Sequence, residues 1–187
     1  MRAIILAAGR GSRMQKMTEE VPKCLIKFND RPLIEWQLEA LQGAGITSVA
    51  IVTGYKRELV KKYNLTEFFN HRWAETNMVS SLACAEKWLN EQTCIVSYSD
   101  IIYLSTAVES LKRCQAPLAL TYDPNWLKLW QRRFKDPLID AETFRLTQKH
   151  EVVEIGGKPT TTDEIEGQYM GLLRISPKAW SEIKRVR

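Results

Sequence analysis

Histidine is nearly missing from this chain: only His71 and His150 occur in 187 residues. The four cysteines, Cys24, Cys84, Cys94 and Cys114, form no CxxC pair. Together these shortages argue against a zinc site. Cys84 and Cys94 lie in apolar stretches, LACA and TCIVS. They read as buried free thiols of a reducing compartment. No apolar run approaches the length that crosses a bilayer. The opening MRAIILAAG is followed by GRGSR, where a cleavage region of small residues would be needed. The expectation is a cytoplasmic protein whose first strand starts almost at Met1. Repeats and low-complexity segments are absent too.

What is present is an ordinary globular balance, 44% hydrophobic and 26% charged, with a net charge of +5. That is enough material for one sizeable core. The basic excess favours anionic partners without choosing among nucleotides, phosphorylated metabolites and nucleic acid.

Residues 3–8 form a continuous apolar run that ends at Gly9. Such a run suits a strand buried on both faces of a parallel sheet. Pro32 opens a helix, PLIEWQLEALQGAG, with a stripe of Leu33, Trp36, Leu38 and Leu41 that Gly43 and Gly45 end. TSVAIVT reads as a second buried strand, and the polar KRELVKKY as a helix. NMVSSLACAEKWL has helical periodicity, with Met78, Leu82, Ala85 and Leu89 on one face. TCIVS is a third strand, ending in Tyr98-Ser99-Asp100, and APLALTY a fourth. Thr106 and Glu109 have capping-box spacing for a helix between them and the next strand. This alternation is the rhythm of an α/β fold. From residue 123 to 163 the pattern loosens into short strands such as TFRLTQ and EVVEI, broken at Gly156-Gly157. QYMGLLRI then returns as a strand, and Ser176-Pro177 caps a final helix.

The loop LAAGRGSRM follows the first strand. Glycines there let backbone N–H groups approach an anion. A P-loop is excluded, because no Lys-Ser/Thr follows. A dinucleotide fingerprint is excluded as well, because Met14 stands where its third glycine belongs. A tight βα turn with incidental arginines remains the plain alternative. Arg13 and Lys23 nonetheless fall close behind the glycines. Arg13 has the fork that suits phosphate oxygens, and Lys23 is a point charge placed after the rigid Pro22.

These residues carry a resemblance. LAAGxGxR at residues 6–13, Pro22-Lys23, PLIE at residues 32–35 and Gly54-Tyr55 are similar to the pattern of the nucleotidyltransferases that activate phosphorylated small molecules. The likeness covers at least residues 1–100. It implies an α/β fold: a Rossmann-like nucleotidyltransferase sandwich of the GT-A type, with a mixed, mostly parallel central sheet flanked by helices. It implies one domain over 1–187, a nucleotide-binding core over 1–122 and an acceptor side over 123–187. It also leads us to expect that the family's C-terminal acidic segment lies outside this chain.

By the same resemblance, Leu6, Ala7, Ala8, Gly9, Gly11, Ser12 and Gly54 belong to the nucleotide site. Arg13 and Lys23 match the cations on the phosphates, and Asp100 matches the aspartate that holds Mg²⁺. The end of a strand is also where open α/β sheets bind ligands; a helix N-cap is the plain alternative for Asp100. WAETNMVSSLACAE looks like the corresponding segment of the CTP-dependent phosphocholine and phosphonate cytidylyltransferases, which puts Asn77, Met78 and Ser81 near the base or the acceptor. The implied reaction moves CMP from CTP to a 2-aminoethylphosphonate-like or phosphocholine-like acceptor and releases pyrophosphate. Tyr122, Asp123, Glu166 and Tyr169 are candidates for a cationic acceptor, although such residues more often serve packing. Three rival readings stay open: a sugar-1-phosphate enzyme, a nucleotide-binding module without turnover, and a nucleic-acid binder using KLWQRRFK. The resemblance favours no nucleic acid and no membrane as partner.

Overall fold

In the computed structural model, residues 1–11 and 16–186 are described. Ser12 and Arg13, two of the expected site residues, lie outside them. Among the described residues a short hairpin pairs β2 (Lys27–Phe28) with β3 (Arg31–Pro32), and the central sheet has six strands: β1 (Arg2–Ala7), β4 (Val49–Thr53), β5 (Thr66–Phe69), β6 (Cys94–Tyr98), β7 (Leu118–Asp123) and β10 (Gln168–Ile175). Their order is β5-β4-β1-β6-β10-β7. β5, β4, β1 and β6 are parallel neighbours, and β10 runs antiparallel to β6. This is the α/β fold expected from the alternating pattern, with the mixed, mostly parallel sheet that the resemblance implied.

β1 shows why the apolar run stays continuous. Ala3, Ile5 and Ala7 enter one core with Ile34 and Leu41 of α1 (Leu33–Gly43) and Val108 of α4 (Ser105–Arg113). Ile4 and Leu6 enter the opposite core with Leu82 of α2 (Met78–Ala83), Trp88 and Leu89 of α3 (Glu86–Glu91) and Trp180 of α6 (Pro177–Arg185). Both faces are covered, so from Ala3 to Ala7 neither face of the strand carries a polar side chain.

The chain divides into two compact units. One comprises Met1–Ala119 with Gly171–Arg187, the other Leu120–Met170. The expected division at residue 122 therefore differs at its far end: the final helix and most of the last strand belong with the nucleotide-side residues. The second unit has its own small core of Trp126, Ala141, Phe144 and Ile165. It holds α5 (Trp126–Arg133) and a two-stranded sheet of β8 (Phe144–Leu146) and β9 (Val152–Ile155).

Several local expectations are corrected. KRELVKKY is a 3-10 segment, Arg57–Tyr63, closed at both ends by left-handed residues, Lys56 and Asn64. β5 follows it, a strand that TEFF did not announce. The helix expected across NMVSSLACAEKWL is two helices, split at Cys84-Ala85, and Met78 is exposed while Leu82, Ala85 and Leu89 are buried. Thr106 caps nothing. The N-cap of α4 is Leu104, whose side chain makes no capping bond, and Thr106 lies within the first turn. On α1 the buried residues are Ile34, Gln37, Ala40 and Leu41, one position round from the stripe read off the sequence. No helix among the described residues is long and apolar enough to cross a membrane.

Candidate active site

The first strand ends at Ala7, and the chain then turns through Ala8, Gly9, Arg10 and Gly11. Ala8 is buried, but Gly9 and Arg10 are exposed. A Cβ on Gly9 would meet nothing within 4 Å, so open space lies over that position. Gly11 has φ +73°, a conformation that favours glycine. A Cβ there would lie 3.1 Å from Cδ of Lys23, so the lysine stem runs directly beneath the loop. Thr18 is fully buried and its hydroxyl donates to the Gly11 carbonyl at 3.2 Å.

Lys23 begins a short 3-10 turn, Lys23–Leu25, with Pro22 extended at its N-cap. Its ammonium donates to Oδ2 of Asp100, which stands in the turn just after β6. The two residues are 77 positions apart in sequence. Both side chains are partly exposed, 25% for Lys23 and 31% for Asp100. The fold thus brings Gly11, Lys23 and Asp100 together at the C-terminal ends of two adjacent parallel strands.

Gly54-Tyr55 supports this loop from the side. The Tyr55 N–H donates to the Ala8 carbonyl at 2.9 Å. A Cβ on Gly54 would stand 2.5 Å from that carbonyl oxygen and 2.5 Å from Cβ of Trp73, so only glycine fits. The Tyr55 hydroxyl donates to the Glu19 carbonyl at 2.6 Å, and its ring packs on Trp73 at 5.3 Å. Tyr55 therefore ties down chain on both sides of the glycine loop. The Arg10 guanidinium lies over the Tyr55 ring, 5.7 Å from its centre.

Asn77 and Ser81 are placed in a scaffold. The Asn77 side chain caps α2 by accepting from the Ser80 N–H at 2.9 Å. Ser81 is buried, accepts from Asn70 Nδ2 at 3.0 Å and donates to the Asn77 carbonyl at 3.3 Å. Of the three residues expected near the base or acceptor, Asn77 and Met78 are exposed and Ser81 is buried. Asn70 was missed in the sequence. It is buried, and one amide bonds Thr76, Ser81 and the Arg72 N–H. A polar residue directly after the aromatic pair of β5 was the available signal.

In the second unit, the four acceptor candidates each have a local partner. The Tyr122 hydroxyl meets His150 Nδ1 at 3.2 Å, and its ring tilts over Phe144. Asp123 accepts from the Asn125 N–H at 2.8 Å. Glu166 accepts from the Leu146 N–H at 2.5 Å. Tyr169 packs against the small core. The basic-aromatic run is also used internally: Trp130 donates to the Asp140 carbonyl at 3.2 Å, and Arg133 stacks on Trp130 and Phe134.

Among the described residues no three His, Cys, Asp or Glu side chains gather into a metal cluster. The donor available for a hard cation is the single carboxylate of Asp100. That fits Mg²⁺, which is commonly held by one or two carboxylates with phosphate oxygens and water. Burial pushes the Cys24 thiol up to about 12 and the Cys94 thiol up to about 11, so neither is a nucleophile near neutral pH.

A glycine loop at a strand end, a lysine beneath it and an aspartate at the neighbouring strand end thus meet in one place. The chain belongs to the family of the MobA-like NTP transferase domain, whose model matches residues 3–139. It is 40% identical to the CTP:phosphoglutamine cytidylyltransferase of Campylobacter jejuni, across 98% of this chain and 76% of that protein. It is 34% identical to the 2-aminoethylphosphonate cytidylyltransferase of Lancefieldella rimae, over 54% of this chain and 43% of that protein. Its fold matches the crystal structure of the CTP:phosphocholine cytidylyltransferase of Streptococcus pneumoniae with a TM-score of 0.70 and 24% identity, over 97% of this chain and 73% of that one.

Proposed function

We propose that this chain transfers CMP from CTP to a small phosphate or phosphonate acceptor of the phosphoglutamine, 2-aminoethylphosphonate or phosphocholine kind. The observation that carries the reading is the meeting of Lys23 with Asp100 beneath Gly11. A cation and a carboxylate side by side have little use as a stability device when both are partly exposed. They are the charges that a triphosphate and its counter-ion require.

In the proposed reaction an acceptor oxygen attacks the α-phosphorus of CTP. The bond from that phosphorus to the β-phosphate oxygen breaks, and pyrophosphate leaves. Backbone N–H groups near Gly9 and Gly11 take the phosphates. Lys23 turns from Asp100 to the α-phosphate, where it offsets the charge that develops there. Arg13 holds the departing pyrophosphate. Mg²⁺ on Asp100 supplies further charge neutralisation when bound. No protein nucleophile takes part, and the contribution of the chain is position and charge.

Pyrophosphate release tests this directly. Each NTP is offered with Mg²⁺ against phosphoglutamine, 2-aminoethylphosphonate, phosphocholine and several sugar 1-phosphates. Release with CTP and one of the first three is expected. Release only with UTP, GTP or dTTP and a sugar phosphate would overturn the cytidylyl reading. Binding of CTP without release under any acceptor would overturn the turnover.

A further inference from the structure

We propose that Gln37 is a positioning residue that sets the backbone of Asp100. This inference rests on the reading of Asp100 as the metal-holding residue. Gln37 lies on α1, inside the core, with no exposed surface. Its Nε2 donates to the Tyr98 carbonyl at 2.8 Å and to the Ile101 carbonyl at 2.7 Å. Those two carbonyls bracket Ser99 and Asp100. Both amide hydrogens are thereby committed to the one turn that carries the site carboxylate.

The rest of the side chain shows that stability alone does not account for it. Oε1 of Gln37 is buried and has no hydrogen-bond partner among the described residues. A buried acceptor left unpaired is destabilising, and the neighbouring positions on that face, Ile34 and Leu41, are aliphatic. A leucine would fill the same slot without that cost. It would also release the Ile101 carbonyl and leave the Tyr98 carbonyl to the adjacent Ser97 hydroxyl at 2.9 Å, and the turn would lose its link to α1. The Tyr98 residue is the last of β6 and pairs with Leu6 of β1, so the strand ladder fixes the backbone up to this point only. Beyond it, the amide of Gln37 takes over. Groups that orient a metal-holding side chain from behind typically change metal affinity by about 10- to 100-fold when removed.

The test is Mn²⁺ titration of the CTP-bound protein, read by electron paramagnetic resonance, with CTP affinity measured separately in the absence of metal. Gln37→Met is expected to weaken Mn²⁺ binding roughly 10-fold or more and to leave metal-free CTP affinity unchanged. Gln37→Glu keeps the volume, sets a carboxylate against the two carbonyls, and is expected to weaken Mn²⁺ binding likewise; it serves if the methionine variant does not fold. Leu111→Ala, a core change in α4, is the control for general destabilisation. If it lowers Mn²⁺ affinity as much as the Gln37 variants do, or if they leave Mn²⁺ affinity intact while lowering the melting temperature, Gln37 is merely structural. Asp100→Asn separates the two levels: if it leaves Mn²⁺ binding unchanged, the Asp100 reading fails and the Gln37 proposal falls with it.

Discussion

β1 enters the glycine loop with Ala3, Ile4 and Ile5 wholly buried, while all four residues of β9 are exposed. The first strand has a core on each face and a parallel neighbour on each edge. β9 has one partner, β8, and a bulge in that pairing. The difference teaches where a fold can afford chemistry. Loops that leave a doubly covered strand start from a fixed point: Gly11 follows β1 and accepts from Thr18, and Asp100 follows β6 between two carbonyls that Gln37 bonds. In Leu120–Met170 the polar side chains are occupied in holding their own backbone. Glu166, Asp123 and Tyr122 all bond within that unit.

The sharpest way to break this comparison is at Lys23 and Asp100. Asp100→Asn and Lys23→Met should each lower turnover by roughly 10²- to 10³-fold, as loss of a charge-stabilising group does. Their partly exposed ion pair contributes little to folding, so melting temperatures should shift by less than about 4 °C. Steady-state kinetics beside a thermal melt checks both halves. A large melting shift with modest kinetic loss would make the pair a structural bridge.

Trp126→Ala tests the other region. Trp126 is 3% exposed, and its indole donates to the Ile165 carbonyl at 3.1 Å. Its loss should cost about 3–5 kcal/mol locally and raise hydrogen exchange through β8 and β9. CTP binding should survive, because the core of Trp126 shares no residue with the two cores around β1. Loss of CTP binding at 25 °C would show that the two regions are not separable in this way. Gly54→Ala comes next in size. A methyl group 2.5 Å from the Ala8 carbonyl must displace the loop or Trp73, an overpacking cost of about 1–3 kcal/mol. Urea unfolding measures the cost, and a raised KM for CTP shows that the loop has moved.

The same contrast governs what the residues announced in advance. The strands at residues 3–8, 47–53 and 93–97 were legible through their apolar centres, because a strand covered on both faces has few polar positions to blur it; Thr53 and Ser97 are the buried exceptions. Gly11, Lys23 and Asp100 were singled out by motif and spacing, and the structure brings them together. β5 was not legible. It is a four-residue edge strand whose Glu67 points to an interior threonine rather than to solvent. Gln37 was hidden for another reason. A polar residue three after Ile34 and four before Leu41 sits on the buried stripe, and the stripe had been drawn one position away. Ser81 and Asn77 were visible as polar residues beside a helix start. The cap made by Asn77 is local, while the place of Ser81 in the scaffold depends on Asn70, which follows β5.

Glu67 gives the smallest effect and the finest test of the edge. Burial alone would raise its pKa. The Thr53 hydroxyl and the Arg57 guanidinium, which lies 2.7 Å away, outweigh burial and hold the carboxyl below its ordinary value of 4.5. A depressed folded pKa contributes stability above the unfolded value and loses it as pH falls through the folded one. Glu67→Gln should therefore be less stable than the wild type by roughly 1 kcal/mol at pH 7. The gap should narrow only below about pH 4.5, where the wild-type carboxyl takes up its proton. Thermal melts of both proteins across pH 3–8 read this directly. A gap that stays constant to pH 3 would mean that the hydrogen bond from Thr53, and not the charge, is what β5 contributes to β4.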